Sequence, residues 1–199
     1  MDVHIAFIIA SISMVGVITW LYRGSIKRST SIPSLWMWSA LLLRSCVDWA
    51  VYADLTSWTL SAPKLATIVG LLPIISITYR VVGMDKLGKN DRRTMYVSFF
   101  ALIFWPLFGP IWGNIIVLCG MLLAFWPKYK GLYRCQTREH PVPWLCASSV
   151  NVLLGFAVYL NPIEQSSWAY LGPVAGTAMG VAVVVLELRR RRMEMKARP

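Results

Sequence analysis

The sequence predicts an all-α integral membrane protein, with seven transmembrane helices arranged as two parallel three-helix repeats joined by a linker helix (3+1+3). Three observations carry that expectation. First, 57% of the 199 residues are hydrophobic and only 15% are charged, with a mean hydropathy of +0.57; a soluble domain of this length carries far more charge. Second, the apolar residues fall in long runs, each near or above the ~20 residues that cross a bilayer. Third, the basic residues gather between those runs and at the C-terminus. The net charge of +11 therefore reads as membrane topology and not as a nucleic-acid footprint.

The apolar runs lie at about 3–22, 34–54, 63–82, 94–127, 142–160 and 168–188. Asp2 precedes the first, and Arg23, Lys27 and Arg28 follow it, the reverse of a secretory leader. That run is expected to stay as a helix. The second contains Leu41-Leu-Leu-Arg-Ser-Cys-Val-Asp-Trp-Ala-Val-Tyr52, which places Arg44 and Asp48 one helical turn apart on one face. The fourth run has 34 residues, roughly 51 Å of helix and too long for one crossing. It is broken near its middle by Trp105-Pro-Leu-Phe-Gly-Pro110.

Charge sets the count. Basic clusters stand at Arg23/Lys27/Arg28, Arg80 through Arg93, Lys128 through Arg138 and Arg189 through Arg198, whereas the loops around Asp54 and Glu164 are neutral to acidic. With every basic cluster cytoplasmic, segment 94–127 leaves and returns to one side as two spans of about 16 residues, at the lower limit of length. A tight turn at Pro106–Pro110 joins them. The expected location is the cell membrane, N-terminus outside and C-terminus in the cytoplasm.

A shift of 110 residues aligns Ser57-Trp58…Pro63…Thr67…Gly70 with Ser167-Trp168…Pro173…Thr177…Gly180 without a gap. It also pairs Arg28 with Arg138, Pro33 with Pro143, Leu35 with Leu145 and Asp54 with Glu164, while helix 1 matches helix 5 poorly. The expected divisions are a first three-helix unit (1–82), a cytoplasmic loop with linker helix 4 (83–108), a second unit (109–188) and a basic tail (189–199). Units that run in the same direction need an odd linker helix between them.

That plan resembles the SWEET sugar transporters and the wider PQ-loop superfamily. Lys27-Arg-Ser-Thr-Ser-Ile-Pro33 followed by Trp49-Ala-Val-Tyr52 is similar to the family's basic Lys-Ser-Thr loop and its Trp-x-x-Tyr on the second helix. The second unit has Trp126-Pro127, Tyr133-Arg134 and Pro143. The Pro-Gln dipeptide of the superfamily is absent, and Pro63-Lys64 and Pro173-Val174 stand where SWEET proteins place an asparagine after a proline. The resemblance implies a transport scaffold with a central site and leaves the solute open.

A midplane cavity between such units is expected near helices interrupted by proline and glycine. The residues expected to line it are Arg44, Asp48 and Trp49 of helix 2, Thr67 of helix 3, Asn151 of helix 6 and Thr177 of helix 7, with Asn114 a weaker candidate. An intramembrane charge defaults to function. Arg44 has a fork suited to an anionic group, and a desolvated Asp48 suits a proton carrier. The alternative for Arg44 and Asp48 is a buried pair that only holds helices together. A lone membrane asparagine is more often an interhelical bond than a ligand, and Thr67 and Thr177 are better explained by bonds to their own helix backbone or by close packing with Gly70 and Gly180. Trp20, Trp58, Trp126 and Trp168 read as interfacial belt residues.

The remaining chemistry is thin. Cys46, Cys119, Cys135 and Cys146 form no CxxC, and Cys135…His140…Cys146 fits no metal spacing. His4 and His140 have no nucleophile placed to meet them, and phosphate loops and HExxH helices are missing. No enzyme and no cofactor are expected. The expected partners are a small polar solute such as a sugar or organic anion, the bilayer with anionic lipids at Arg189-Arg-Arg-Arg192, and, left open, further copies of the chain; nucleic acid is not among them. Two functions compete: a facilitative or proton-coupled transporter, and a non-transporting receptor or assembly protein on the same bundle. A polar cavity reaching the midplane favours the first, and a dry interface around Arg44 and Asp48 the second.

Overall fold

The computed structural model describes residues 3–28, 35–84, 88–136, 138–160 and 167–196. Within them the chain forms α1 (Val3–Lys27), α2 (Leu35–Leu55), α3 (Trp58–Val82), α4 (Lys89–Phe108), α5 (Pro110–Tyr133), α6 (Pro141–Leu160) and α7 (Leu171–Lys196), the last entered through a 3-10 turn at Ser167–Tyr170. Five of these, α1, α3, α5, α6 and α7 with its 3-10 turn, are long and apolar enough to cross a membrane. Charge separates the other two from that class. Arg44 and Asp48 interrupt α2, and α4 opens on Lys89, Arg92 and Arg93, leaving Met95–Phe108 as its apolar part.

The helices outrun the apolar runs that predict them. Basic side chains occupy the last turns of α1 (Lys27), α3 (Arg80) and α5 (Lys130), where the negative end of the helix dipole favours them. Thus α4 and α5 have 20 and 24 residues instead of the expected short halves. Helix α7 likewise continues to Lys196, into the segment expected to be a separate tail from residue 189. The break between α4 and α5 is also narrower than Pro106–Pro110: Pro106 lies inside α4, and the reversal rests on Gly109 at φ +86° with Pro110 at the first helical position. A left-handed glycine followed by a proline with a fixed φ is sufficient to stop one helix and start the next. Helix α3 starts five residues before Pro63 because Ser57 caps it, its side chain accepting the Leu60 N–H at 3.3 Å. The other parts of the predicted loops, around residues 29–33 and Glu164, lie outside the described residues.

Helix α3 packs between α1 and α2, and α7 between α5 and α6; α1 lies on α6 and α2 on α5. These contacts close a ring of six helices, with α4 outside it against α2 and α5. The glycines aligned by the 110-residue shift face different neighbours: Gly70 meets Thr19 of α1, whereas Gly180 meets Ser148 of α6. Serine and threonine hydroxyls along the helices, including Ser11, Thr19, Ser39, Thr78 and Ser149, donate to carbonyls one turn back. That is how such residues satisfy themselves where water is scarce.

The two ends of the ring differ in charge. Asp54 accepts a 2.8 Å hydrogen bond from Trp105 Nε1, and the α4–α5 turn and Trp168 line the same pocket as Asp54. At the opposite end Arg23, Lys27, Arg28 and His140 share a pocket, and Arg138 lies 3.5 Å from Glu194. One apolar cluster (Ile8, Tyr52, Leu60, Ala157, Ala169) packs the Asp54 end, and a larger one (Tyr22, Ile26, Trp38, Ile77, Leu132, Val183) packs the basic end. Many large apolar residues, such as Val69, Ile103, Leu122 and Val185, stay exposed on the outer faces. Contiguous apolar surface of this kind suits lipid, not water.

Candidate functional site

Two adjoining cavities of about 190 and 170 Å³ lie inside the ring, the larger walled by all six of its helices. They share a wall that includes Arg44, Ser45, Thr67, Ala147 and Asn151. Helix α2 supplies one side of both at successive turns, from Trp38 through Leu41 and Arg44 to Asp48, a run of roughly 15 Å. The larger cavity ends among Tyr22, Trp38, Phe125 and Trp144. The smaller ends at Asp48, Lys64 and Gly172.

Close approach of α6 and α7 shapes one wall. A Cβ on Gly176 would collide with the Asn151 amide, and one on Gly180 would lie 3.0 Å from the Trp144 carbonyl oxygen. Glycine lets the two backbones approach. It also pins Asn151, whose Nδ2 donates to the Ala147 carbonyl at 2.8 Å. Thr67 lines both cavities while its hydroxyl donates to Pro63 O at 2.9 Å.

The charges stand at the junction and at the small end. Arg44 Nη2 donates to Asp48 Oδ2 at 2.9 Å, and Lys64 Nζ donates to the same oxygen at 2.7 Å. Arg44 is 9% exposed and Asp48 6%, so the pairing takes place out of contact with bulk solvent. Lys64 Nζ also sits 4.4 Å from the centre of the Tyr52 ring, and the Tyr52 hydroxyl donates to the Ala169 carbonyl at 3.1 Å. Two cations thus share one carboxylate oxygen. Asp48 Oδ1 and Arg44 Nε have no hydrogen-bond partner among the described residues.

Of the residues expected to form the site, Arg44, Asp48, Thr67 and Asn151 come together around the cavities. Trp49 does not: it packs edge-on against Trp58 with ring centres 5.4 Å apart. Thr177 lines neither cavity, and its carbonyl oxygen takes the Ser148 hydroxyl at 3.4 Å. Asn114 is fully buried away from both, with neither amide atom partnered among the described residues. Lys64 is the residue that sequence reasoning missed. Its signal was present: it is the sole charge between Asp54 and Arg80, inside an otherwise apolar stretch of α3.

A second buried network closes the aromatic end. Lys128 Nζ lies 2.7 Å from Glu139 Oε1, while Tyr22 Oη and Trp144 Nε1 donate to Glu139 Oε2 at 3.1 and 3.2 Å. The Glu139 N–H donates to Glu187 Oε2 at 3.3 Å, and Glu187 in turn receives Arg190 at 2.7 Å and Arg191 at 2.9 Å. Lys128, expected in a loop, is therefore inside α5 and buried. Arg190, expected in the basic tail, is 5% exposed within α7, and Arg189 stacks over Tyr133 at 4.3 Å. Helix continuation explains both: it turns Lys128 and Arg190 toward carboxylates instead of water.

No cluster of three or more potential metal ligands occurs among the described residues. Comparison of the chain with protein-family models, with curated proteins and with solved structures finds no match.

Proposed function

We propose that this chain is a small membrane transporter, facilitative or proton-coupled, for a polar small solute such as a sugar or organic anion. The observation that carries the reading is the pair of cavities inside the ring of six helices, with buried Arg44 and Asp48 and the partly buried Lys64 in their walls. A bundle built only for stability has little reason to leave that space beside expensive charges. The packing order supports a 3+1+3 plan of seven spans: α3 between α1 and α2 is matched by α7 between α5 and α6, and α1 on α6 is matched by α5 on α2. Each of these contacts has its counterpart under exchange of the two units, which is the pattern expected of parallel repeats. Gly70 and Gly180 face different neighbours, so a repeat of this kind would have α3 and α7 in a register slightly off the 110-residue shift.

Transport would proceed by rocking of the two units about the cavities. The Glu139 network ties α1, α5, α6 and α7 together at the basic end, and Tyr52 with Lys64 and Ala169 packs the other. The basic end would lie in the cytoplasm with the C-terminus, and the N-terminus outside, in the cell membrane. This plan is the one the SWEET and PQ-loop resemblance implies. Uptake by proteoliposomes of sugars, organic acids and amino acids tests the function, and saturable uptake of at least one class is expected. Uptake no faster than in protein-free vesicles for the whole panel would leave the receptor reading instead.

A further inference from the structure

The charged residues that line the two cavities do not balance. Arg44 and Lys64 bring two positive charges, and Asp48 brings one negative. Lys128 and Glu139 form their own pair beyond the aromatic end and line neither cavity. The lining of the two cavities therefore carries one cation more than its anions, in a setting where uncompensated charge is costly.

The donors are also underused. Arg44 spends Nη2 on Asp48, while its Nε has no partner among the described residues. The fork of a guanidinium matches a planar carboxylate through two parallel N–H donors. The wall on the other side of Arg44 is apolar and aromatic, from Leu41 and Leu71 to Trp38 and Phe125. An apolar cavity of about 150 Å³ is enough to hold benzene, so the 190 Å³ cavity has room for one small ring or a short branched chain.

We infer that the site takes a small organic monocarboxylate, its carboxylate at Arg44 and Lys64 and its apolar body in the aromatic cavity. One negative charge neutralises the spare cation. A phosphate monoester brings about two charges and overshoots. A halide leaves the apolar cavity unfilled. A neutral sugar leaves the cation uncompensated and sets hydroxyls against an aromatic wall with few partners for them. Asp48 has the role of holding the two cations together. This assignment rests on the transporter reading for its biological meaning, but not for the binding itself.

The test is equilibrium binding to the purified chain in lipid nanodiscs, with benzoate, benzamide and benzylamine as probes of like size and different charge. Benzoate is expected to bind at least ten-fold more tightly than benzamide, and benzylamine not measurably. Lys64→Met should erase the preference, bringing benzoate and benzamide within two-fold of each other, while the variant still elutes as a folded bundle. The wild-type comparison does not depend on any variant folding. Equal affinity for benzoate and benzamide, or preference for benzylamine, would overturn the inference. Uptake separates it from the transporter reading. Benzoate binding with no uptake of any solute in the panel sustains the anion site and removes transport, whereas glucose uptake without benzoate binding sustains transport and removes the anion site.

Discussion

Replacing Asp48 should be far more damaging than replacing either cation it holds. Arg44 Nη2 and Lys64 Nζ both lie within 3 Å of Asp48 Oδ2, so they stand no more than about 6 Å from each other. At an effective dielectric of ~20 their mutual repulsion is about 3 kcal/mol, and the carboxylate offsets it. Asp48→Asn keeps the shape and removes the offset. Breaking one member of a buried ion pair costs about 3–5 kcal/mol. The lower part of that range applies, because chains unfolded within a membrane still find polar partners. Lys64→Met removes a charge-assisted hydrogen bond of about 1.5–3 kcal/mol and relieves a repulsion of similar size. It leaves Arg44 and Asp48 as a neutral pair, so its net cost should stay within about 1 kcal/mol. Denaturant titration in mild detergent, followed by tryptophan fluorescence, reads both. A loss of stability in Asp48→Asn no greater than in Lys64→Met would refute the reasoning.

Glu139→Gln should destabilise the bundle by about 3 kcal/mol or more, since it strands Lys128 and weakens the acceptor for Tyr22 and Trp144; thermal unfolding in detergent measures it. Gly180→Ala places a methyl group 3.0 Å from the Trp144 carbonyl oxygen and should cost about 1–3 kcal/mol. Gly24→Ala, with open space around its Cβ, should be neutral or stabilising by up to ~1 kcal/mol; the same unfolding assay compares them. For topology, the exposed native Cys135 should react with an impermeant thiol reagent only from the cytoplasmic side, and Phe108→Cys only from outside, in chains lacking the other cysteines. Labelling of both from the same side would contradict seven spans.

The helices were legible because the apolar runs are separated by basic clusters or by short polar segments such as those at Asp54 and Glu164, and Gly109-Pro110 marks the break inside the longest run. Helix ends were less so, since α5 runs on to Tyr133 and α7 to Lys196 where charge alone suggests loop. Arg44 and Asp48 were readable as a pair because both sit on one helix, one turn apart. Lys64 was not, because its contact with Asp48 joins two helices and depends on the α2–α3 packing angle. The same limit hid Glu139, whose partners come from α1, α5, α6 and α7. Trp49 and Thr177 failed for a related reason: each is a single position from a cavity-lining residue, Asp48 and Gly176, and a one-residue step turns a helical side chain about 100° away.

The most direct test of the account is solute uptake through a cavity that has been filled. Ala147 lines both cavities, and Ala147→Phe would add bulk at their shared wall while leaving Arg44, Asp48 and Lys64 themselves unchanged. Uptake of radiolabelled benzoate into proteoliposomes should be saturable for the wild-type chain and fall at least ten-fold for Ala147→Phe, with both proteins eluting as the same folded species. Wild-type uptake indistinguishable from that of protein-free vesicles, or undiminished uptake in Ala147→Phe, would contradict passage of the solute through this site.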